Sequence, residues 1–138
     1  MEEITLKGRT VVKGKAAGEA LVCNEAICYV GGVNLKTGDF TEKGHAFFGK
    51  NVKGKVLVYP TGKGSTGGAY SLYAVVTNGA GPAAIINRQI EQVTAVGAVI
   101  SEIPVMDQVE PDPIETIKTG DHVEVDATNG IVKVTRKG

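Results

Sequence analysis

Between Lys55 and Gly68 the chain reads KVLVYPTGKGSTGG, a short apolar strand that runs into a glycine-rich turn carrying Lys63, Ser65 and Thr66. The letters from Thr66 to Asn78 have a helical pattern closed by Gly79, and a second apolar strand, Ala83 to Ile86, follows. A strand, a helix and a strand in that order return to one sheet by a right-handed crossover, so the two strands are parallel. A second unit of the same kind is predicted, with a short helix near Gln89 to Val96 and a strand over Ala98 to Ile100. Parallel strands of this sort take ligands off their carboxyl ends, where Thr61 to Gly68 falls. Unpaired N–H groups of a first helical turn and the positive end of the helix dipole favour an anion there.

The remainder reads as β structure. Residues 1 to 50 are punctuated by glycine and alternate weakly through Ile4, Leu6, Val11-Val12 and Ala20-Leu21-Val22, with turns expected at Lys13-Gly14, Gly31-Gly32 and Lys36-Thr37-Gly38-Asp39. Near the other end Asn129-Gly130 is a two-residue hairpin signal. Counting outward from it sets Asp126 opposite Lys133 and Val125 opposite Val134. Pro104, Pro111 and Pro113 mark 101 to 113 as a loop, whose apolar part, 101 to 109, is a candidate contact surface together with Phe47-Phe48. At 138 residues the expectation is one domain over 1–138.

Composition removes several functions. Lys plus Arg number 15 and Asp plus Glu 15, with no basic block, so the counterion release that drives nucleic-acid binding has no source. No apolar run reaches membrane-spanning length and no leader is recognisable, which points to a cytoplasmic protein without a membrane partner. The two cysteines, Cys23 and Cys28, have neither redox-pair nor zinc-arm spacing and read as buried reduced thiols. They are too few to hold an iron–sulfur cluster, so such chemistry would need a second chain.

The glycine turn satisfies G-x-G-x-x-G from Gly62 to Gly67, but Asn87-Arg88 stands about twenty residues on, where a dinucleotide fold has its ribose-binding acid. A Walker A loop fails on its letters, because Leu57 and Gly64 occupy positions that need Gly and Ser or Thr. Thr66 to Leu72 looks like the phosphohistidine domain of phosphoenolpyruvate-using phosphotransferases, a swivelling β/β/α fold, yet Leu72 stands where the carrier histidine would be. The fold carries over and that chemistry does not. Ser65 is the leading candidate for a reacting group, with a helix N-cap as its alternative role.

The whole length carries a better match. Gly8 to Gly14 with Ala17 to Val22, Gly31 to Asn34 with Thr37-Gly38, Gly54 to Pro60 with Gly62 to Ser65, Gly81 to Ile86, Glu91 with Ala95 to Ile100, Ile103 to Asp107 and Thr119 to Asp126 follow one another in the order of the aconitase X swivel-domain family, which the chain resembles. The resemblance implies an α/β fold of the swivelling β/β/α three-layer type. It also implies a hydro-lyase subunit active only beside a large subunit that carries the iron–sulfur cluster. The implied reaction removes water from 5-phosphomevalonate to give trans-anhydromevalonate 5-phosphate in a modified mevalonate route to isoprenoids. The cluster would act as Lewis acid on the departing hydroxyl and Ser65 would match the family's proton-abstracting serine. Lys63, Gly64, Thr66 and Gly67 would bind substrate, while His45 and Gly31 to Asn34 fall in loops that the family retains. Family members often have arginine where Lys63 stands and proline where Ala46 stands, which bears on substrate contacts and not on the fold. Two further readings are a cis-3-hydroxyproline dehydratase subunit and a swivel module that binds phosphorylated ligands without chemistry.

Overall fold

The computed structural model describes residues 2–64 and 67–136. In chain order the elements are β1 (Glu2–Val12), β2 (Lys15–Val22), β3 (Val56–Tyr59), α1 (Gly67–Thr77), β4 (Ala84–Asn87), α2 (Gln92–Ser101), β5 (Val105–Glu110), α3 (Pro113–Thr116), β6 (His122–Asp126) and β7 (Ile131–Arg136). The strands form a closed barrel in the order β1-β5-β4-β3-β2-β6-β7. The pairs β2/β3, β3/β4 and β4/β5 are parallel and the other four are antiparallel.

Every residue of β3 and β4 is buried, as befits parallel strands covered on both faces. Alternation along β3 sends Val56 and Val58 into the barrel with Leu6, Ile86, Met106, Val123 and Val134. It sends Leu57 and Tyr59 the other way, against Leu72, Val75 and Ala98 of the helices. Two barrel walls and one helical layer thus enclose two cores, which are the expected β/β/α layers.

Local readings shift in four places. The predicted strand Ala98 to Ile100 lies inside α2, which starts later than expected. Glu91 caps that helix, accepting from Val93 N at 2.7 Å and Thr94 N at 2.6 Å, and the left-handed Glu102 ends it just before Pro104. A Val/Ile run fits a strand or a packed helix equally, and the cap decides. The expected 101–113 loop contains β5, whose Val105 and Met106 are buried along with Ile103, so that segment is no contact surface.

The hairpin register is offset by two. Val125 faces Val132 and Glu124 faces Lys133, because Ala127 to Gly130 make a four-residue turn in which Asp126 accepts from Asn129 N at 3.1 Å and Nδ2 at 2.9 Å. Valine still meets valine, since an even offset keeps each side chain on its face. Finally, strand structure in the first fifty residues stops at Val22. The segment beyond carries only isolated bridges and is held by buried Ile27, Tyr29, Val33, Phe40 and Phe47, while Phe48 is exposed.

Candidate active site

The carboxyl ends of β2, β3 and β4 meet at the turn that leaves β3. Ile27 N donates to Thr61 O at 3.2 Å and Lys63 N to Ile27 O at 2.9 Å, tying the turn to the segment after β2. Pro60 O accepts from Arg88 N at 3.0 Å and Gln89 N at 3.2 Å, tying it to the end of β4. Two glycines of this junction stand where a Cβ would force neighbouring side chains to shift. A Cβ on Gly62 would overlap Glu91 Oε1 and Thr94 Oγ1; one on Gly64, whose φ is +107°, would overlap Cys28 Sγ. α1 then begins at Gly67.

Of the sequence-predicted site residues, Gly64 and Gly67 are exposed and bracket the turn. Ser65 and Thr66 lie outside the described residues. Lys63 is exposed, with Nζ 3.5 Å from Glu42 Oε2, an open ion pair. His45 does not line the turn as a free side chain. Its ring is buried, Nδ1 accepts from Phe47 N at 3.0 Å, and Nε2–H therefore donates to Ala26 O at 3.0 Å. Gly32 and Asn34 are accounted for by their own loop: a Cβ on Gly32 would overlap Cys28 O, and Asn34 Oδ1 accepts from Lys36 N at 2.9 Å and Thr37 N at 3.1 Å.

Beneath the turn lies a floor of buried polar groups that sequence reasoning missed. The hydroxyls of Tyr29 and Tyr59 are 2.8 Å apart, and Asn87 Nδ2 donates to Tyr59 O at 3.1 Å. Asn87 Oδ1 is buried without a partner among the described residues. Burial pushes the phenols of Tyr29 and Tyr59 up, and also the Cys23 thiol, so these groups stay neutral across the physiological range. Glu91, set against Gly62, holds Thr94 through Oγ1 as well as through its amide. A glutamate three residues before Thr94 and just ahead of an apolar run was the one legible signal of this seat.

The flank of the site is fixed by long-range pairs. Arg88 donates to Asp112 from Nε at 3.1 Å and Nη2 at 2.8 Å, and from Nη1 to Asn24 Oδ1 at 3.1 Å. That guanidinium holds the Asp112 carboxyl below the usual carboxylate range. Arg9 forks onto buried Asp107 at 2.8 and 2.7 Å, and Asp107 accepts from Ile90 N at 3.0 Å, which fixes the loop between β4 and α2. Among the described residues no group of three or more His, Cys, Asp or Glu is placed to hold a metal ion. No described helix is long and apolar enough to cross a membrane.

A mixed β-barrel with a two-helix layer and a glycine turn at its strand ends is an aconitase-type swivel architecture, and residues 5–134 match the aconitase X swivel domain, the family to which this chain belongs. Among its relatives are the phosphomevalonate dehydratase small subunits of Methanocella arvoryzae, 52% identical over 94% of this chain and 98% of the relative, and of Methanosarcina acetivorans, 48% identical over 99% and 94%. The solved structure of Thermococcus kodakaraensis aconitase X in its holo-form superposes with a TM-score of 0.91 at 42% identity, covering 96% of this chain and 99% of that one.

Proposed function

We propose that the chain is the small subunit of a phosphomevalonate dehydratase, a single swivel domain over residues 1–138 that acts with a large subunit. The reaction removes water from (R)-5-phosphomevalonate to give trans-anhydromevalonate 5-phosphate. The observation that carries this reading is 52% identity to a small subunit of that enzyme over nearly the full length of both chains. Ser65 is assigned as the base, with Lys63 and the backbone amides of Gly64, Thr66 and Gly67 as substrate contacts.

The assignment makes a physical demand. A serine hydroxyl ionises far above neutral pH, and a helix terminus contributes about 0.3–2 kcal/mol to an adjacent charge, on the order of one pK unit. Lys63 and converging main-chain donors have to supply more, in a cleft closed to water. The phenols of Tyr29 and Tyr59 and the Cys23 thiol beneath the turn stay neutral, but the Glu91 carboxylate against Gly62 adds negative charge at its edge, which Lys63 and the main-chain donors have to outweigh.

The iron–sulfur cluster does not fit this chain. Its two thiols each donate to a nearby loop carbonyl, Cys23 to Glu25 O at 3.4 Å and Cys28 to Val30 O at 3.3 Å, and no further ligand set accompanies them among the described residues. The cluster is assigned to the large subunit, and this chain contributes proton removal and substrate placement.

Mixing the two chains anaerobically tests the proposal. Dehydration of 5-phosphomevalonate is expected, and Ser65→Ala should lower kcat by about 10²–10⁴-fold while leaving assembly intact. Normal turnover by the alanine variant overturns the base assignment. Activity on cis-3-hydroxyproline instead keeps the mechanism and changes the substrate. Phospho-ligand binding without turnover makes the chain a non-catalytic module.

A further inference from the structure

Charged residues make up 22% of the chain, yet α1 (GGAYSLYAVVT) and α2 (QVTAVGAVIS) contain none. A helix laid on a sheet ordinarily turns charged side chains to water on its far side. Here, opposite buried Leu72 and Val75, α1 carries Tyr70 and Tyr73, 70% and 40% exposed. On α2, Val96, Val99 and Ile100 are 48%, 57% and 51% exposed. The helices approach closely, because a Cβ on Gly97 would stand 3.1 Å from Ala69 Cα and 3.2 Å from Leu72 Cδ2, so their outer sides form one surface. The barrel wall across β2, β6 and β7 is the reverse case, with Lys15, Glu124, Asp126 and Lys133 exposing both signs of charge around a shallow groove.

We infer that the outer face of the α1–α2 layer is where the large subunit docks. This rests on the reading of the chain as a small subunit and adds which face is used. Position favours that occupant. α1 begins directly after the candidate turn, so a partner that completes a site there crosses the first turn of α1, where Tyr70 stands. Area shows that the helices are only part of the footprint. Helices of 11 and 10 residues are about 15 Å long and about 10 Å wide, so together they offer on the order of 300 Å², against the ~800 Å² that each partner of a standard interface buries. The rest of the contact comes from the adjoining turn, which makes interface and active site one continuous surface. The partner's matching surface is uncharged and apolar, with room for two tyrosine rings whose hydroxyls stay at the wet rim.

The test uses the full chain and the large subunit, with Tyr70→Glu and Val99→Lys made singly and together. Both replacements keep or raise helix propensity at exposed positions, so the thermal midpoint of the isolated chain should hardly move. Calorimetric titration should show the double variant binding the large subunit about 100-fold more weakly or worse, while Lys15→Ser on the barrel wall binds like the wild type. In the wild-type complex, hydrogen exchange across 67–77 and 92–101 should slow. A double variant that binds as tightly as the wild type, or protection confined to the barrel wall, overturns this inference alone. Loss of self-association with unchanged large-subunit binding overturns it by assigning the face to a second copy. Failure of the wild-type chains to associate at all sinks both the inference and the reading beneath it.

Discussion

The two cores differ in chemistry. The barrel interior is aliphatic throughout, from Leu6 and Ala20 through Val56, Ile86 and Met106 to Val132 and Val134. The core under the helices holds the buried rings of Tyr29, Phe40, Phe47 and Tyr59 and the thiol of Cys23, with His45 and Asn87 buried beside them. An aliphatic core asks only for volume and alternation, and many arrangements of Val, Ile and Met meet that demand. A core with hydroxyls, an imidazole and a carboxamide asks for a particular partner at each polar atom. Those partners are what hold the strandless segment after β2 and the turn after β3 in fixed relation. The first core makes a scaffold, and the second shapes the place where chemistry is assigned.

The sharpest way to break this contrast is to damage each core and compare stability with turnover. Ile86→Ala in the barrel should cost about 2–5 kcal/mol in denaturant unfolding and leave kcat per folded complex unchanged. A fall in kcat there would show that the barrel does more than support. Gly62→Ala should cost about 1–3 kcal/mol, since the new methyl must displace the pinned Glu91 carboxylate or Thr94, and should depress kcat/KM far more than Ile86→Ala does. Equal losses of activity in the two variants would erase the distinction.

Smaller effects sharpen it. Tyr59→Phe leaves the Tyr29 hydroxyl without its partner and should cost about 1–2 kcal/mol, part of which the Tyr29→Phe/Tyr59→Phe pair recovers; strict additivity in that cycle would deny the coupling. The smallest concerns pH. Asp112 titrates below its unfolded value because of Arg88, so its contribution is complete above the ordinary carboxylate range, near 4, and disappears as pH falls through the lower folded value. Acid unfolding of Asp112→Asn should therefore begin less steeply than that of the wild type, and identical acid limbs would remove the pair from the account.

How much was legible follows from the range of each interaction. The turn after β3 was readable because strand, glycines and helix are contiguous, and glycine at Gly62 and Gly64 is dictated by neighbours that leave no room for a Cβ. The first parallel crossover followed from the same letters, whereas the strand of the second, expected at Ala98 to Ile100, is β5 at Val105–Glu110. The boundary of α2 was not readable, since Val99 and Ile100 suit either element and the deciding groups are the Glu91 cap and the turn at Glu102. The hairpin register missed by two because Asp126 captures Asn129 and widens the turn. The Tyr29–Tyr59 pair, Arg88–Asp112 and Arg9–Asp107 join residues far apart in sequence, and no local pattern announces them.

One further consequence comes from β1, which is flanked by β5 on one side and β7 on the other, with Glu2 opposite Arg136. Of the barrel's own strands, the first to be synthesised is sealed only by the last, roughly 130 positions on. Until β7 has been made the nascent ring stays open and β1 offers one unsatisfied ladder to any neighbouring polypeptide. Closure of the ring therefore waits on its final hairpin, and β1 needs shelter from neighbours until that hairpin is in place.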